Sequence, residues 1–87
     1  MLPTYLGRVY LGLGFAKMKT DQFVQAVPDL DKGLEILPNH LSGLSARAFS
    51  LEKLGDRKRA LEDYDRILIL KPDDSWATER RTKLQAR

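Results

Sequence analysis

Eighty-seven residues with 43% apolar and 31% charged side chains allow one domain with one modest core and well-solvated helix faces. The absence of cysteine excludes a disulfide framework, a thiolate metal site and a thiol nucleophile, and it fits a reducing compartment such as the cytoplasm. The net charge of +3 is spread along the chain, without the dense basic face of a dedicated nucleic-acid binder, and no apolar run approaches the roughly 20 residues that span a bilayer.

Five helices are predicted, at about residues 4–18, 22–37, 40–54, 57–70 and 74–85. The first is apolar nearly all round through Leu6, Val9, Tyr10, Leu11, Leu13, Phe15, Ala16 and Met18, a pattern that expects burial on more than one side. Its bases Arg8, Lys17 and Lys19, with no acid in residues 1–20, faintly resemble an organelle transit sequence, but the same stretch fits the repeat described below. The second helix carries the stripe Phe23, Ala26, Val27, Leu30, Leu34 and Leu37 on both sides of Pro28. A kink at that proline is expected, costing about 3 kcal/mol relative to alanine; the alternative is a helix that begins at Pro28.

In the third helix Leu41, Leu44, Ala48, Leu51 and Leu54 recur at steps of three and four, with Asn39 in place to cap its start. Leu54-Gly55-Asp56 reads as a stop and a restart: Gly55 can take the left-handed conformation that closes one helix, and Asp56 can cap the next. Ala60, Leu61, Tyr64, Ile67 and Leu68 form the apolar face of the fourth helix before Lys71-Pro72 ends it. Asp73, Asp74 or Ser75 can cap the fifth, which sets Trp76, Ala77, Arg80 and Leu84 near one side and Glu79, Arg81, Lys83 and Arg87 on the other.

A 34-residue self-similarity organises these helices. It places Ala26 over Ala60, Asp29 over Asp63, Asp31 over Asp65, Leu34 over Leu68 and Pro38 over Pro72. Residues 44–72, with small Ala48, large Leu51, Leu54-Gly55 at the turn, small Ala60, Tyr64 and closing Pro72, resemble the tetratricopeptide repeat. The departure is Ile67, where that family has alanine. The resemblance implies an all-α fold, a right-handed superhelical stack of antiparallel helix hairpins. Residues 1–87 are then one domain, with a degenerate repeat at 5–38, a regular one at 39–72, and a capping helix or truncated third repeat at 73–87. The first half of the degenerate repeat fits two registers. Without a gap Tyr10, Leu13 and Gly14 match; with two extra residues in the turn Leu11, Gly12, Phe15 and Met18 match better. The gapped register is favoured, with a longer loop at residues 19–22.

Catalytic and metal chemistry find little support. His40 is the only histidine and has no identifiable orienting partner, so it reads as an exposed residue at a helix start. Asp29 with Asp31, and Asp63 with Asp65, are two apart on a helix and point about 200° from each other, so neither pair can share a metal or a proton. Arg59–Asp63 and Glu62–Arg66, four apart, suit surface pairs on a solvated face. Gly12-Leu13-Gly14 lacks the Lys-Ser/Thr of a phosphate loop, and its glycines suit close helix contact instead. No enzyme, cofactor or metal is expected.

The resemblance implies a scaffold that binds a peptide or helix in a concave groove lined by the first helix of each hairpin. Carried over in the gapped register, the groove positions are Leu6, Val9, Leu13 and Ala16 in the first repeat and Ser42, Ser45, Phe49 and Glu52 in the second. Some relatives clamp a peptide's C-terminal carboxylate with lysine, asparagine and arginine; Val9, Leu13 and Ala46 stand where such polar residues belong, and Arg80 matches one position. Arg57, Lys58 and Arg59, together with Arg80, form a candidate basic contact for a phosphate or an acidic partner. The apolar first helix admits two readings, a chain excised from a longer array or a homo-dimer formed through that helix. Self-association at high concentration is the expectation that follows.

Overall fold

The computed structural model describes residues 2–86. They form five α-helices: α1 (Thr4–Lys19), α2 (Phe23–Ile36), α3 (Leu41–Lys53), α4 (Arg57–Leu70) and α5 (Ser75–Gln85). α1 and α2 make one antiparallel hairpin, α3 and α4 a second, and α5 lies on the second. No described helix is long and apolar enough to cross a membrane.

The two hairpins turn in the same way. Gly55 has φ 81°, and Asp21, 34 residues earlier, has φ 61°. The Asp56 N–H donates to the Leu51 carbonyl at 2.9 Å, and the Gln22 N–H to the Lys17 carbonyl at 2.8 Å, again 34 residues apart. This is the left-handed closing turn that satisfies the last carbonyls of a helix. The first turn therefore holds no extra residues, and the gapped register is corrected to the ungapped one. Aspartate is among the few side chains that tolerate the left-handed region, so the missing glycine did not force a longer loop.

The close approach of α1 and α2 rests on glycines. A Cβ on Gly14 would lie 2.5 Å from Leu30, and one on Gly33 would lie 2.5 Å from Leu11. Gly12 faces open space, so of the pair noted in the sequence only Gly14 serves helix contact. α2 begins at Phe23 and runs on through Pro28, rather than starting there. Pro28 sits in its second turn, where it removes the N–H that would bond the Val24 carbonyl.

Three helix starts carry side-chain caps. Asp56 Oδ1 accepts from the Arg59 N–H at 3.2 Å and Asp74 Oδ1 from the Ala77 N–H at 2.9 Å, as acids at helix starts should. The start of α3 is capped by His40, whose Nδ1 accepts from the Gly43 N–H at 3.1 Å, while Asn39 accepts from Arg66. His40 is thus a half-buried cap rather than an exposed helix-start residue, and Asn39 is tied elsewhere.

The core follows the apolar stripes: Leu11 from α1, Ala26, Leu30 and Leu34 from α2, Leu44, Ala48 and Leu51 from α3, then Ala60, Tyr64 and Ile67 from α4. Ala77 and Leu84 close it from α5. Tyr64 is fully buried and meets the Trp76 ring edge-on at 5.4 Å, filling the space between the second hairpin and the helix that follows. Ile67, the departure from alanine, is also fully buried.

Candidate functional site

α1, α3 and the start of α5 border an open groove of about 550 Å³. α1 contributes Phe15, Met18 and Lys19; α3 contributes Leu41, Ser42, Ser45, Ala46 and Phe49; Lys71, Asp74 and Trp76 complete the far wall. Phe15 and Phe49 are 34 residues apart, so one repeat position supplies an aromatic ring twice. Phe49 is braced edge-on by Phe23 at 5.9 Å and has Lys53 Nζ 5.3 Å from its ring centre. Phe15 leans toward the His40 ring at 6.5 Å, so the cap of α3 also backs the groove. Asp74, the only acid in the lining, is spent on the α5 cap. Lys19 and Lys71 are exposed and pair with no carboxylate among the described residues.

Of the groove positions taken from the sequence, Ser42, Ser45 and Phe49 lie together in this lining. Leu6, Val9 and Leu13 do not. They came from the gapped register; the ungapped one puts Leu11, Phe15 and Met18 opposite Ser45, Phe49 and Glu52. Leu11 is core, while Phe15 and Met18 face the groove. Val9 and Leu13 are 52% and 47% exposed on another face of α1.

Glu52 is withdrawn from the groove into a polar lock. Its side chain is 13% exposed, accepts from the Tyr64 hydroxyl at 2.8 Å and is paired with the Arg80 guanidinium. Burial pushes the Tyr64 hydroxyl far above its ordinary range, and the nearby Asp63 carboxylate adds to the shift. Arg80 is therefore engaged and not poised for a ligand.

The basic cluster is divided in the same way. Arg57 Nε donates to the Leu84 carbonyl at 2.6 Å, placing a cation at the C-terminal end of α5, where the helix dipole favours it. Arg59 reaches Asp31 at 2.9 Å rather than Asp63, and Lys58 points to solvent. Arg57, Arg59 and Arg80 thus each reach a different partner, while Lys58 is exposed.

Arg47 carries more of the interior electrostatics than any residue singled out in the sequence. Its Nε and one terminal nitrogen each bond Asp63 at 2.8 Å, and the other terminal nitrogen bonds Asp31 at 2.9 Å. Asp63 is 5% exposed, so the expected solvated face is at this point an interior ion network. The Asp63 carboxylate holds the guanidinium firmly in its charged form. Arg81 pairs with Asp65 in the same relation as Arg47 with Asp31, each 34 residues on, so the bridge between successive units is itself repeated. The described residues contain no cluster of side chains able to hold a metal ion.

No family model matches the sequence, and neither does any curated protein. Solved structures do. The first TPR of Spaghetti (RPAP3), bound to the HSP90 peptide SRMEEVD, is similar with a TM-score of 0.86 and 22% identity, over 94% of this chain and 67% of that one. The likeness is one of fold, and it agrees with the repeated turn and the repeated ion bridge.

Proposed function

We propose that this tetratricopeptide-repeat fold is a non-catalytic protein-interaction scaffold that holds a peptide or helix in the groove between α1, α3 and α5. The observation that carries the reading is the aromatic floor, Phe15, Phe49 and Trp76, left open beside two unpaired lysines. Rigid aromatic rings in a concave apolar surface are the usual anchors of peptide binding. The bound peptide of the structural neighbour lends weight to a protein partner.

The occupant we infer is an internal apolar segment with an acidic residue placed to meet Lys19 or Lys71. Arg80 is committed to Glu52, so Lys19 and Lys71 are the lining cations that meet this acid.

Titration of a short synthetic peptide with two leucines and a glutamate, followed by amide chemical shifts, tests this. Shifts should cluster at Ser45, Phe49 and Trp76. Phe49→Ala should weaken binding about tenfold or more, the loss typical of an anchor residue. Equal affinity for the wild type and Phe49→Ala would remove the groove from consideration.

A further inference from the structure

The 34-residue equivalence reaches beyond the groove to the outer face of α1. Val9, Leu13 and Ala16 correspond to Gly43, Arg47 and Ser50 of α3. Those three α3 residues face inward: a Cβ on Gly43 would lie 3.0 Å from Leu11, Arg47 bridges to Asp31, and Ser50 is fully buried. The same face of α1 is covered by no described residue. Tyr5, Val9 and Leu13, at four-residue steps along it, are 64%, 52% and 47% exposed. The fold thus presents a second helix-packing seat with an apolar stripe in it.

Three observations decide its occupant. Leu13 stands where Arg47 and Arg81 make their bridges, so a hairpin like the two in this chain would present an aspartate with no arginine to meet it. The outer face of α5 is polar at Thr78, Thr82 and Gln85, which makes it a poor match for the apolar stripe of a head-to-tail second copy. The edges of the stripe are cationic. Arg8 lies exposed on one side, Lys32 sits 5.5 Å from the Tyr10 ring centre on the other, and α1 contains no Asp or Glu. Two such faces brought together antiparallel would set like charges edge to edge.

We propose that the outer face of α1 is a second docking surface, separate from the groove, for an amphipathic helix whose apolar stripe is flanked by acidic residues. Leucine-type side chains would seat beside Tyr5, Val9 and Leu13, and the acids would meet Arg8 and Lys32.

The test uses the full isotope-labelled chain and two synthetic helical peptides. One carries leucines at steps of three and four flanked by glutamates; the other is identical but has lysines for the glutamates. The glutamate peptide should shift the amides of Tyr5, Val9 and Leu13 and bind more weakly as salt rises. The lysine peptide should bind about tenfold more weakly or not at all. Leu13→Glu, with its helical circular dichroism checked, should abolish these shifts, while Phe49→Ala should leave them in place, which separates this surface from the groove. Sedimentation at high protein concentration should give a monomer mass. Equal binding of the two peptides, no shift at α1 with either, or a dimer that Leu13→Glu dissociates would overturn the proposal, the last by making a second copy the occupant.

Discussion

Arg47 bonds Asp63 through two nitrogens and Asp31 through a third, so removing it leaves a carboxylate that is 5% exposed without its cation. Arg47→Ala should cost about 3 kcal/mol in a urea titration, whereas Arg47→Met combined with Asp63→Leu should recover most of that loss. Tyr64 makes a second prediction. Its proton is held to higher pH in the folded chain than in the unfolded one, so the stability it contributes is full below the ordinary tyrosine range near 10 and is lost as pH rises beyond it. Absorbance at alkaline pH should show Tyr64 ionising only as the chain unfolds. The buried Tyr64 ring was legible from the repeat pattern. Arg47 was not, because each of its partners lies 16 residues away on another helix, and a lone arginine in a helical stripe reads as solvated.

At the scale of the element, the turns and glycines set how closely the hairpins pack. Asp21 holds a left-handed backbone that costs a side chain about 1 kcal/mol, so Asp21→Gly should raise the urea midpoint without changing its slope. Gly14→Ala should do the reverse. Its methyl would be forced against Leu30, and overpacking of this kind costs about 1–3 kcal/mol. The helix ends were readable to within a residue or two because caps and prolines act locally, as at Asp56, Asp74 and Pro72. The register of α1 was not, since an aspartate did the work of a glycine and an all-round apolar helix matches a repeat pattern in more than one way.

For the whole molecule, α5 decides whether the second hairpin keeps a covered face. Ala77 and Leu84 are buried against it, and Trp76 rests on Tyr64. A chain ending at Pro72 should lose these contacts and the Glu52–Arg80 pair together. Its thermal midpoint should fall by more than about 10 °C, with increased dye binding to exposed apolar surface. An unchanged melting curve would mean that the two hairpins are stable without their cap.

The 34-residue repeat, the five helices and the all-α stack were determined by the sequence alone, because apolar period, caps and breakers act over one or two turns of chain. Which face of α1 met the groove was decided only in the tertiary structure. That choice depended on how closely Gly14 and Gly33 let two helices approach, and on ion pairs formed between residues distant in sequence. The same packing turned Phe15 and Met18 toward the groove, drew Glu52 and Arg80 into a lock, and left Val9 and Leu13 facing outward. A single helix carries no information about which of its apolar sides a neighbour will cover; the neighbour's shape supplies it.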